Sequence, residues 1–103
     1  MTINLKKLQA EAFENKVEKG FNIDDVSMEF CLMNSEVNEA WLAWYKKDDN
    51  VGEELADVAI YLLGLSEMLG IDLEKELIVK MKKNEDREYE NIKGRMIRKK
   101  DSL

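Results

Sequence analysis

Apolar residues along most of the chain recur at helical spacing and do not alternate as they would in strands. Leu5, Leu8, Ala12, Phe13 and Val17 keep an i, i+3, i+7, i+8 rhythm and predict a first helix over 4–19, stopped by Gly20. A second helix is predicted over 25–47, capped by Asp24 or Asn22, with Met28, Cys31, Leu32, Ala40, Trp41 and Trp44 available for packing. The polar run Lys46-Lys47-Asp48-Asp49-Asn50 reads as a turn. A third helix then starts with Asn50 as N-cap and Glu53 three residues on, a capping-box arrangement, and ends at Gly70. A fourth begins at Asp72 and is expected to carry Leu73, Leu77 and Met81 inward. Proline is absent, so nothing of that kind interrupts the helices.

The third helix is apolar nearly all the way round between Leu55 and Leu69. Such a helix needs packing partners on several sides, and three short amphipathic neighbours do not obviously supply them. The expected fold is therefore all-α, a bundle of about four helices completed by oligomerisation as a homodimer or homotetramer. The chain has 103 residues, one domain's worth. That domain is placed at 1–91, with 92–103 as a basic C-terminal tail.

Charge narrows the function. The 22 acids and 16 bases leave a net charge of −6, and the excess is uneven. Residues 1–91 hold 21 acids and 11 bases, whereas 92–103 hold 5 bases and 1 acid. An acidic body argues against nucleic acid, whose affinity rests on neutralised phosphates, and fits cation binding. Histidine is absent, which excludes imidazole bases and His-ligated metals. The single cysteine, Cys31, forbids an internal disulfide and suits a reducing cytoplasm. No signal peptide is read at the start, because Lys6, Lys7 and Glu11 break any apolar run. The most apolar stretch is too short for a membrane span and contains Asp57 and Glu67.

Two acidic pairs stand out. Glu36 and Glu39 share one face of the second helix, and Glu54 and Asp57 share one face of the third. Their mean position is 46.5, at the polar turn, so a hairpin folded there brings the pairs roughly level. Converging carboxylates cost several kcal/mol per uncompensated ion, a cost a divalent cation removes. Oxygen-only ligands suit Mg²⁺, or Mn²⁺. Such pairs also arise by chance on the solvated faces of an acidic chain, but Asp57 lies among Leu55, Ala56, Val58 and Ala59, where a solvated residue is hard to place. On the fourth helix, Lys80, Asn84 and Arg87 share a face and could neutralise phosphate charge. Trp41 is a candidate flat partner for a nucleobase.

Glu36-Val37-Asn38-Glu39, fourteen residues, then Glu54-Leu55-Ala56-Asp57-Val58 resembles the signature of the MazG-like nucleoside triphosphate pyrophosphohydrolases. The later Lys80…Asn84…Arg87 segment is similar to that family's phosphate-holding pattern. Ser35 stands where the family usually has a further acid. The resemblance implies Mg²⁺-dependent hydrolysis of a nucleoside triphosphate to a monophosphate and pyrophosphate, in clearing surplus or non-standard nucleotides. It implies metal ligation by Glu36, Glu39, Glu54 and Asp57, with Glu36 or Glu39 accepting a proton from the attacking water. Lys80, Asn84 and Arg87 would hold the triphosphate. The alternatives are a related phosphoribosyl-ATP pyrophosphohydrolase activity and a non-catalytic helical interaction protein.

Overall fold

The computed structural model describes residues 2–99. Among them the chain forms α1 (Leu5–Lys19), α2 (Val26–Tyr45), α3 (Val51–Met68), α4 (Leu73–Glu85) and the strands β1 (Tyr89–Ile92) and β2 (Arg95–Arg98). The all-α expectation holds, with one small hairpin added.

The helix ends follow from local chemistry. Asn4 caps α1, its side chain accepting from the Lys7 amide at 3.0 Å. At the other end Gly20 adopts φ 72°, and the amides of Gly20 and Phe21 return to the carbonyls of Val17 and Lys16. That is a Schellman closure. The same pattern closes α3 at Gly70 and α2 at Lys47, which holds φ 60° without being glycine.

Two expected caps differ from the structure. The N-cap of α2 is Asp25, accepting from the Met28 amide at 3.0 Å. Asn22 instead braces the loop, accepting from the Asp25 amide and donating to its carbonyl. Asn50 does occupy the N-cap of α3, but at φ −100°, ψ 19° its side chain makes no cap bond. A capping box needs an extended N-cap residue that turns its side chain over the first turn. Asn50 Nδ2 donates to Glu54 Oε1 at 3.2 Å, and Glu53 has no capping role.

The described chain falls into two compact units, Met1–Leu73 and Glu74–Leu103. In the first, α3 packs against both α1 and α2. Gln9, 3% exposed, pins α1 to the end of α3 and the residues after it. Its Nε2 donates to Glu67 Oε2 and to the Ile71 carbonyl, and its Oε1 accepts from the Leu73 amide. Among the described residues the buried apolar ones are Ala40, Ala43, Leu63 and Leu65. Within the single chain α3 is buried only over Leu63–Ser66, while Leu55, Ile60, Leu62 and Leu69 stay exposed, so its own helices do not cover its apolar circumference.

In the second unit no residue of α4 is buried, and Leu77 and Met81 are exposed, contrary to the inward stripe expected of them. The hairpin was not foreseen. It pairs Tyr89 with Arg98 and Ile92 with Arg95, crossing the boundary expected after residue 91. Lys93 and Gly94 both take positive φ, 52° and 81°, as a two-residue type I′ turn requires. Residues 100–103 of the expected basic tail lie outside the described residues.

Candidate metal centre

Helical spacing places Glu36 on α2, and Glu54 and Asp57 on α3, toward a common point. Each offers one carboxylate oxygen, and these oxygens lie within 4.8 Å of one another. Glu36 Oε2 and Glu54 Oε2 are shut off from solvent and have no hydrogen-bond partner. Orphaned acceptors of this kind are rare in folded proteins and call for an explanation. Burial holds the Glu36 and Glu54 carboxyls above the usual carboxylate range, and the neighbouring charges of Glu39 and Asp57 push both further up. Glu39 thus borders the cluster electrostatically, although its oxygens are not in the group of three. A hard divalent cation fits this donor set. It would take the orphaned oxygens as ligands and cancel the repulsion.

Beside the cluster opens a cavity of about 490 Å³, and Asp57 belongs to both. Phe21, Met28, Ile60 and Tyr61 supply its apolar and aromatic walls. Tyr61 sits one turn beyond Asp57. Its phenol is raised above the ordinary value, first by burial and then by the charges of Glu36 and Glu29. The cavity also exposes Lys16 and Glu29, an ion pair whose carboxylate is 1% exposed. Residue-type reasoning passed over Lys16, Asn22, Glu29 and Tyr61. The available signal was Glu29, a lone acid in the run Val26-Ser27-Met28-Glu29-Phe30-Cys31-Leu32.

Trp41 does not line this cavity. It stacks on Tyr45, with ring centroids 5.2 Å apart, and lines a groove with Val37, Trp44, Leu55 and Val58. Lys80, Asn84 and Arg87 gather in the second unit, on α4 and just after it, where the Arg87 amide donates to the Asn84 carbonyl at 3.2 Å. Partial desolvation lowers the Lys80 ammonium, and the charges of Arg87, Lys83 and Arg98 lower it further. Arg87 Nε is shut off without an acceptor. This concentration of positive charge suits an anion.

The molecule is thus an all-α protein with a carboxylate cluster able to hold a divalent metal ion beside a small-molecule cavity. Residues 23–101 match the MazG-like family, more than half of the chain, and the chain belongs to that family. The family is generally associated with pyrophosphohydrolase activity and is typically metal-dependent. Neither a curated protein nor a solved structure matches the chain. Among the described residues no helix is long and apolar enough to cross a membrane.

Proposed function

We propose that the protein hydrolyses nucleoside triphosphates between the α- and β-phosphorus, releasing a nucleoside monophosphate and pyrophosphate, with Mg²⁺ as cofactor. The observation that carries this reading is the pair of solvent-excluded, unpartnered oxygens, Glu36 Oε2 and Glu54 Oε2, in the three-carboxylate group. A solvated acidic face would keep both oxygens wet. Glu36, Glu54 and Asp57 would hold the ion, with Glu39 at its border. When bound, Mg²⁺ supplies charge neutralisation for the phosphates and acidifies a water.

The chain's own residues contribute the rest. Glu36 is the first candidate to take the proton of the attacking water, through whichever of its oxygens is not engaged in ligation. Glu39 is the second candidate for that proton. The adjoining cavity offers apolar walls to the nucleoside portion, and its size falls within the range of ordinary small-molecule sites. Lys80, Asn84 and Arg87 as phosphate ligands rest on the family pattern, supported by the crowded positive charge around Lys80.

Hydrolysis in ¹⁸O-labelled water tests the reaction. The label should enter the monophosphate and not the pyrophosphate. Orthophosphate and a nucleoside diphosphate as primary products would refute it.

A further inference from the structure

The ion pair at the floor of the cavity is held by three elements at once. Lys16 on α1 donates to Glu29 Oε2 on α2, and the two side chains are 12% and 1% exposed. Asn22 donates to the other oxygen, Glu29 Oε1, at 3.2 Å, so both oxygens of the carboxylate are engaged within the protein. On α3, Gly64 leaves room for the lysine stem, since a Cβ there would lie 3.0 Å from Lys16 Cδ. The Tyr61 ring lies 5.8 Å from the ammonium. A buried ion pair of this kind is commonly no more stable than an apolar pair filling the same volume. Here it does something an apolar pair cannot. It presents an ammonium with N–H bonds left over at the bottom of an open cavity.

The surroundings select what those N–H bonds meet. Glu29 already neutralises the ammonium, and Asp57 also lines the cavity, so an anionic group such as a phosphate is repelled. Phe21, Met28, Ile60 and Tyr61 favour a flat, uncharged body. The chemistry left is a neutral ring carrying an oxygen acceptor. Resting on the nucleotide reading above, we propose that Lys16 is a specificity-determining residue that donates to a ring carbonyl oxygen of the nucleobase. The pocket therefore accepts uracil and thymine, which carry carbonyls at both C2 and C4, and disfavours adenine, which has no carbonyl, only ring-nitrogen acceptors, and an exocyclic amine that sets donor against donor.

The test is a panel of deoxynucleoside triphosphates differing only in the base. Wild type should show kcat/KM for dATP lower by at least about tenfold than for dUTP and dTTP, with the difference carried mainly in KM. In Lys16→Met/Glu29→Gln, which leaves no unpaired buried charge and keeps an acceptor for Asn22, the gap should shrink to within about threefold through loss on dUTP and dTTP. Equal turnover of dATP by wild type overturns the proposal. So does a double variant that weakens every substrate in the same proportion, which is what a purely structural pair would do. Should the double variant fail to fold, the wild-type panel decides alone. Should no triphosphate be hydrolysed, the catalytic reading fails separately, and binding of uridine and adenosine monophosphates followed by NMR decides this one. Preference for the uridine compound supports it, and equal or absent binding overturns it.

Discussion

A Cβ placed on Gly64 would come 3.0 Å from Lys16 Cδ, and that stem cannot swing freely because its ammonium is tied to Glu29. In an unconstrained helix interior, Gly→Ala stabilises by about 1 kcal/mol. At residue 64 the gain should vanish or reverse, since Lys16 must give by a few tenths of an ångström against a buried partner. Thermal unfolding of Gly64→Ala should show no rise in Tm. In a Lys16→Met/Glu29→Gln background, where the stem is untethered, the same change should become stabilising. A Gly64→Ala variant more stable than wild type would show that the stem yields without cost.

Amide substitution of the carboxylates separates ligation from folding. Glu54→Gln or Asp57→Asn should lower turnover by about two orders of magnitude or more, the scale of lost transition-state charge stabilisation, while the fold survives. Glu53→Gln is the matched control, because Glu53 is exposed, lies outside the three-carboxylate group and has no capping role. Steady-state kinetics on the three variants checks this. Near-normal turnover in both Glu54→Gln and Asp57→Asn would remove the assignment.

The same carboxylates set a pH dependence whose direction is fixed. The folded-state pKa values of Glu36 and Glu54 lie above the ordinary 4.5, raised by burial and then by neighbouring acids. The folded state therefore binds more protons than the unfolded one in the window from 4.5 up to the raised values, and stability falls as pH rises through it. Without divalent ions, Glu54→Gln should be more stable than wild type at neutral pH, and the difference should fade below the ordinary carboxylate pKa. Adding Mg²⁺ should raise the Tm of wild type and barely move that of Glu54→Gln. A wild type whose Tm ignores Mg²⁺ would count against the metal centre.

Much of this was legible because helices announce themselves locally. The i, i+3 pairs Glu36/Glu39 and Glu54/Asp57 and the turn at 46–50 are properties of short stretches, and they were enough to bring Glu36, Glu54 and Asp57 together. Asp57 stood out because charge is misplaced in an apolar run. What stayed hidden depends on contacts between distant residues. The Lys16–Glu29 pair spans thirteen positions, and Gln9 bonds to Glu67, fifty-eight away. The hairpin is hidden for a different reason. Lys93-Gly94 is a weaker turn signal than Asn-Gly, and the basic composition of the segment masks its strand register.

The last expectation concerns assembly. Leu63–Ser66 of α3 is covered by its own chain, but the face of its N-terminal half that carries Leu55 is not. Leu55 is 57% exposed, and across the groove Trp44 and Trp41 are 65% and 51% exposed. Val37, Val51 and Val58 complete a lining that is almost wholly apolar. Contiguous apolar surface of this kind marks an interaction site in a stable protein, and two tryptophans are the anchors interfaces favour. With two alanines and two leucines as the buried apolar residues among those described, the protein has much to gain by covering it. We propose that a second copy does so, which also accounts for Trp41 lying in this groove and not beside the nucleoside cavity. The protein should sediment as a dimer or larger at micromolar concentration. Trp44→Glu combined with Leu55→Glu should shift it toward monomer and lower its stability, because the substitutions place charge where a partner packs. A wild type that sediments as a 12.0 kDa monomer at every concentration would sink the idea.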